Sequence, residues 1–500
     1  MKKIYLIIAC VLFHFGHGNA QEFTKSIELE LGAFKKDKYG NPADQMFYLE
    51  SGNILVLSQY KTYGALSFRL YDSKMNFQDK YSFGVDAFRK KDQKDHKVNI
   101  EFFKNIKGKF FVFYSVLKDD DLYLMSCQLD PTSMTFASNS KEVFKRVLKE
   151  DSIKFSFSYS RSSDRSKHLL TLYEEQESEK ETAYHYLFND ELRLLKRAKF
   201  TNLKRTQVYI YTGSTVNNEG TIISTAYEVD LPKGTKTRDS IFFPLDLQVL
   251  TFEGKTPRVK PIDLNEMQLF DVVLGFASDG EKIVVGGLFT DPYKKTTKGV
   301  FLSKYNVQSL EAEVEQLVKF SDELKDAMFE LYIFNDQVTL MDLSKVVQDN
   351  SDNFYFVLNT GDRFYSMGLS VLKIGDQGDL LWSNHILRKI RGNSELGISA
   401  PLKVISYFKD DQLHLLLNQA KGFENLHASD QFSLAGKLKT DLIHYKFSDE
   451  GNFSFEKILS YQEAGSAMLN TYMYKNGSIY FKTGGYMNKS RIVRAKIYED

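Results

Sequence analysis

QMFYLESGNILVLSQYKTYGALSFRLYDSKMNFQDKYSF, residues 45–83, reads as four short strands joined by turns. The strands are Gln45 to Glu50, Asn53 to Tyr60, Ala65 to Tyr71 and Phe77 to Phe83. Ser51-Gly52-Asn53 and Asp72-Ser73-Lys74 separate them, and Gly, Asn and Asp suit such turns because they tolerate left-handed backbone or bond their own amides. The second strand, ILVLSQY, is apolar on both faces, as a strand enclosed between neighbouring sheets must be. In the third strand Leu66, Phe68 and Leu70 alternate with Ser67 and Arg69, so the third and fourth strands are expected nearer solvent.

The same sentence is spelled about eight times. Lys107-Gly108-Lys109 precedes FFVFYSV, Asn218-Glu219-Gly220 precedes TIISTAY, and Asp279-Gly280 precedes EKIVVGGLF. Asp352-Asn353 precedes FYFVLNT, Asp410-Asp411 precedes QLHLLLN, and Asn476-Gly477 precedes SIYFKTG; the remaining unit starts near His168. The second strands recur 53 to 71 residues apart. A repeat of this length with period two inside it predicts an all-β fold, an eight-bladed β-propeller with four-stranded antiparallel blades; seven blades is the alternative.

The third-to-fourth connection is the most repetitive part: LYDSKMNFQDKYSF (70–83), LFNDELRLLKRAKF (187–200), LKIGDQGDLLWSNHIL (372–387) and YKFSDEGNFSFEKIL (445–459). The stretch Lys373 to Trp382, with Asp376, Gly378 and Trp382, resembles the hairpin repeat of secreted bacterial β-propeller proteins. That resemblance implies the fold and no activity.

The last unit stops one strand short at Asp500, while FTKSIELEL (Phe23 to Leu31) alternates cleanly and belongs to no other unit. Pairing it beside the C-terminal strand would close the ring and cover an open sheet edge. Helix is scarce. Leu310 to Met328 reads as a strand through Phe320 followed by a short helix opened by Ser321-Asp322-Glu323. The basic runs FRKKDQKDHK (88–97) and LKRAKFTNLKRT (194–205) read as solvated connections.

Residues 1–20 have the form of a signal peptide: Lys2 and Lys3, an apolar run from Ile4 to Phe15, then Gly18-Asn19-Ala20. Ile7 to Cys10 loosely matches a lipoprotein box but lies too early to leave an apolar segment ahead of it. Residues 21–500 form one expected domain, periplasmic or extracellular, with no stretch apolar enough to span a membrane. Cys127 is its only cysteine, so no internal disulfide can staple it, and 42% apolar side chains must do so instead. Without Lys2 and Lys3 the chain carries 64 basic and 65 acidic residues, which gives no argument for a nucleic-acid partner.

Second-to-third and fourth-to-first connections lie on one propeller face. Here they are long, as at 84–97, 231–238, 291–298, 359–367, 387–401 and 418–438. Long loops at one end of a rigid scaffold are where recognition is expected. The candidate binding residues are Tyr63, Tyr293, Phe364, Tyr365, Phe423, His427 and Tyr486, although such rings also suit packing of their own loops. No His pair has metal-ligand spacing, and Asp119-Asp120-Asp121 lacks the regular spacing of a calcium loop, so neither metal nor cofactor is expected. His414 and His444 fall inside strands, in structural roles. There is no GxSxG, GxxxxGK[ST] or HExxH. A carboxylate pair contributed by separate blades would leave no spacing signal. The expectation is a non-enzymatic module contacting a protein, peptide or glycan; a propeller polysaccharide hydrolase or lyase and a structural envelope component are the alternatives.

Overall fold

The computed structural model describes residues 21–22, 27–33, 35–36, 45–60, 64–88, 96–137, 139–148, 152–176, 181–200, 208–230, 241–262, 267–290, 297–329, 341–362, 365–391, 403–420, 440–464, 466–486 and 489–497. They form eight sheets, each built on four antiparallel strands in chain order, and the protein is an eight-bladed β-propeller. Blade 1 spans residues 45–84, blade 2 97–147, blade 3 152–200, blade 4 208–262, blade 5 268–319, blade 6 341–391, blade 7 404–459 and blade 8 466–497. First strands of neighbouring blades touch from blade 3 round to blade 1 and so line the axis.

Among the described residues there is no single central core. Eight apolar clusters lie one at each seam between neighbouring blades. Strand periodicity explains the arrangement, since successive side chains point to opposite faces. In blade 1, Leu55 and Leu57 fill the seam to blade 2, while Ile54 and Val56 fill the seam to blade 8. All four are fully buried.

Third strands depart from the expectation. Ala65–Tyr71, Thr297–Asn306 and Thr440–Phe447 are almost entirely buried, including Ser67, Arg69, Ser303, Lys304, Asp441 and His444. The neighbouring blades still cover a strand at this radius, and it is the fourth strands, such as Phe77–Gly84 and Ala312–Lys319, that form the wet outer rim. Several polar groups enclosed at this depth pair internally. Thr171 Oγ1 lies 3.0 Å from His185 Nδ1, and Lys373 pairs with Asp449 of the next blade. As expected of strand histidines, His414 Nδ1 lies 2.9 Å from His444 Nε2, and His444 Nδ1 lies 3.2 Å from Glu456 Oε1. Burial, and then His444, hold His414 down to about 3.

The repeated turn between third and fourth strands is built as its sequence implies. Asp72 Oδ1 accepts from the amides of Lys74 (2.9 Å) and Asn76 (2.8 Å), and Asn189 Oδ1 accepts from Glu191 (3.1 Å) and Arg193 (2.8 Å). In blades 1, 2, 3, 5, 6 and 7 the turn carries one left-handed residue. Gly378 and Gly451 supply it in blades 6 and 7, whereas Met75, Met134, Leu192 and Leu310 do so elsewhere. The left-handed conformation costs an L-residue about 1–2 kcal/mol, which burying the Met75 and Leu192 side chains, about 1.5–3 kcal/mol each, offsets.

The same turn is gripped by the preceding blade. Lys196 Nζ donates to Thr251 O (2.8 Å) and Gly254 O (2.6 Å), Arg258 Nη2 to Val307 O (2.6 Å), and Trp382 Nε1 to Asp449 O (2.8 Å). The first part of the basic run 194–205 is therefore the fourth strand Leu194–Phe200 and not a loose connection, while 201–205 lie outside the described residues.

Closure follows the expected route. Ile27–Leu31 pairs antiparallel with Lys489–Ile497, Ile27 opposite Ile497 and Leu31 opposite Val493, as the outer strand of blade 8. Ile27 is buried in the seam to blade 7, and Glu30 is held below the usual carboxylate range by Lys496 and Arg494. Gln21–Glu22 adds a short parallel contact to blade 7 that the sequence did not signal. The strand through Lys319 and the helix Asp322–Phe329 also stand as read, with Ser321 Oγ accepting from Leu324 N at 3.1 Å.

Candidate functional site

Of the residues singled out in the sequence, Tyr63, Tyr293, Phe364, Phe423 and His427 lie outside the described residues, as do residues 1–20. Tyr365 and Tyr486 sit at the ends of strands Tyr365–Ile374 and Ser478–Tyr486, and their side chains lie outside the description. The connection read at 359–367 is not a long loop. Its strands run on to Asp362 and restart at Tyr365, and those two residues pair.

A cavity of about 870 Å³ opens at the other face, where first strands end in short turns. Four arcs of chain line it: 45–48 of blade 1, 104–108 of blade 2, 159–168 of blade 3 and 472–475 of blade 8, with Asp190 beside them. It sits there because each first strand ends near the axis, so four successive blades present their turns to one space.

Charge in this cavity is unbalanced. Five cations, Lys104, Lys107, Arg161, Arg165 and Lys475, face two carboxylates, Asp164 and Asp190. Both carboxylates are occupied. Asp164 Oδ1 accepts from Ser162 Oγ (2.6 Å) and Ser166 N (2.9 Å), which hold it below the usual range. Asp190 pairs with Lys107 across the seam between blades 2 and 3, and Lys107 lowers it in turn.

Lys104 has a different environment. Its Nζ stands 4.6 Å from the Tyr159 ring centroid, a cation–π contact. Burial, and then the Arg161 charge, push its amine below the usual lysine range. Tyr159 in turn lies 2.6 Å from His168 Nδ1 through its hydroxyl, which burial pushes up to about 12. His168 is 2% exposed; burial holds its pKa down, and its Nε2 has no hydrogen-bond partner among the described residues. Two cations repelling each other over a tyrosine, with the nearby carboxylates engaged, make a place where an anion is favoured.

A second titratable pair lies elsewhere on the axis. Asp271 and Asp342 belong to the first strands of blades 5 and 6, near the ends where those strands begin. Asp271 sits in a bulge with φ +48°, and its Oδ2 accepts from Leu343 N at 3.1 Å. Burial first, and also a hydrogen bond shared with Asp342, raise its carboxyl above the usual range. Among the described residues no group of three or more metal-ligating side chains converges.

None of these cavity residues was legible in the sequence, because Lys104, Arg161 and Tyr474 lie far apart along the chain and meet only through ring closure. The one available signal was position, since each sits within a few residues of a first-to-second turn.

No protein-family model matches the chain, and no curated protein matches it in sequence. Solved structures similar to it include prolyl oligopeptidase B from Galerina marginata, 9% identical with a TM-score of 0.39, over 90% of this chain and 56% of that one. Another is the β-propeller domain of the Trilobed protease from Pyrococcus furiosus, 11% identical with a TM-score of 0.34, over 88% of this chain and 97% of that one. A third is an ulvan lyase of a polysaccharide lyase family, 9% identical with a TM-score of 0.38, over 78% and 90%. The chain spans just over half the length of prolyl oligopeptidase B. Likeness at this level assigns the chain no activity.

Proposed function

We propose that the protein is an exported binding module whose axial cavity on the short-turn face takes an anionic ligand. The observation that carries this reading is the cavity's charge: five cations against two carboxylates that are already bonded. A bound anion would relieve the repulsion between Lys104 and Arg161. It would also restore the Lys104 amine toward its ordinary proton affinity, so binding is expected to take up protons and to weaken as pH rises through the lowered Lys104 pKa. The cavity is open to water, so the attraction is also screened by salt.

Titration calorimetry with pyrophosphate as the probe tests this. Binding that weakens with added salt and with rising pH is expected, and Lys104→Met combined with Arg161→Met should abolish it. Unchanged affinity in the double variant would end the reading. Export is tested separately: protein recovered from the envelope or medium should begin at Gln21.

One observation favours the hydrolase or lyase alternative, the Asp271–Asp342 pair. Its members share a hydrogen bond, which is closer than the roughly 5 Å that separates the carboxylates of a retaining glycosidase. The pair therefore suits proton sharing better than attack across a glycosidic bond. Polysaccharide cleavage lost in Asp271→Asn would establish the enzymatic reading instead.

A further inference from the structure

We propose that the anion taken by the axial cavity is an acidic sugar chain, its rings lying on Tyr472 and Tyr474 and its carboxylates meeting Lys104 and Arg161. This rests on reading the cavity as an anion site and names the ligand class. Tyr472 and Tyr474 stand two residues apart on the first strand of blade 8, Ser466–Lys475, so their side chains leave the same face about 7 Å apart. They are 39% and 64% exposed, among the most open large apolar groups described, and both line the cavity.

A tyrosine face carries the negative part of the ring quadrupole and attracts the partially positive C–H groups of a pyranose. Arg161 offers a planar fork that fits a carboxylate with two parallel bonds, and Lys104 offers a point charge. About 870 Å³ lies in the range of cavities that enclose drug-sized ligands, far more than one inorganic anion fills. An acidic peptide would seek an apolar pocket for alternate side chains. Of the apolar lining residues, Met46 and Ile106 are buried, and Phe47 and Met473 are partly buried against the seams of blade 1, so none stands open as the tyrosines do.

Calorimetry on the mature full chain tests the inference, with an oligogalacturonate, its neutral methyl-esterified form, a sulfated oligosaccharide, a polyglutamate peptide of matching charge, and pyrophosphate. The oligogalacturonate should bind at least tenfold more tightly than its ester and the peptide. Tyr474→Ala should weaken it about three- to tenfold and Tyr474→Phe should retain it, since the stacking face survives in phenylalanine. Tighter binding of the sulfated chain would keep the sugar and move the charge from carboxylate to sulfate ester. Equal binding of the ester or the peptide, or no effect of Tyr474→Ala in a variant that melts normally, overturns the sugar assignment. Pyrophosphate binding without any sugar binding overturns this inference alone, whereas silence from every anion overturns the anion reading as well.

Discussion

Gly451→Ala should cost far more stability than the same change at Gly477, although both glycines are left-handed. Gly451 lies in the third-to-fourth turn of blade 7 with φ +88°, and Gly477 in the first-to-second turn of blade 8 with φ +63°. Each substitution incurs the left-handed penalty of an L-residue, about 1–2 kcal/mol. At Gly477 a new Cβ would meet nothing nearer than 3.8 Å. At Gly451 it would stand 2.8 Å from Cγ and Cδ2 of Trp382. That indole cannot step aside freely. It is stacked on Phe447 (5.9 Å, 7°), edged by Tyr355 (5.8 Å), and bonded through Nε1 to Asp449 O at 2.8 Å. Forcing a methyl against a fixed ring adds about 1–3 kcal/mol. Gly451→Ala should therefore cost about 2–5 kcal/mol and Gly477→Ala about 1–2 kcal/mol, as read from urea unfolding of each variant. Trp382 is the chain's only tryptophan, so its fluorescence reports this seam directly. The native emission should shift in Gly451→Ala and stay put in Gly477→Ala. Equal losses at the two sites, or an unshifted native spectrum in Gly451→Ala, would refute the claim that the ring is clamped between blades 6 and 7.

Three further outcomes are expected. Deleting Phe23 to Leu31 removes the outer strand of blade 8 and bares the edge of Lys489–Ile497, so the melting temperature should fall and the protein should associate; unchanged melting and a monodisperse elution profile would contradict closure by that strand. Leu192→Gly relieves about 1–2 kcal/mol of left-handed cost but loses about 1.5–3 kcal/mol of burial, so chemical denaturation should show a net loss of about 0.5–1 kcal/mol, and a gain would contradict the offset. Asp271 has a raised folded pKa, so its folded carboxyl holds a proton that the unfolded chain has released; its contribution to stability is present at low pH and is lost as pH rises through the folded value. Asp271→Asn should accordingly flatten that decline in a pH series of melting temperatures, and a steeper decline would contradict the sign.

Legibility in the sequence divided by range. Strand identity and turn position were local, carried by runs such as ILVLSQY and by residues such as Asp72 and Gly378 that form turns from their own side chains or backbone. The eight seams were implied by the second strands, since a strand apolar on both faces needs cover on both. Third strands were misplaced toward solvent because Ser67 and Arg69 look like surface residues, and only the neighbouring sheet reveals that they are enclosed.

The site was a different matter. Long loops drew attention by composition, whereas the cavity on the opposite face is made of ordinary residues from blades 8, 1, 2 and 3. The order of the amino acids by itself determined the repeat and the strand that closes the ring, because both depend on periodicity along the chain, whereas eight blades against seven was decided by the closed ring. Which charges stand together at the axis was decided only by the closed ring, because Coulomb repulsion, desolvation and stacking depend on distance in space, and ring closure puts Lys104, Arg161 and Tyr474 around one cavity.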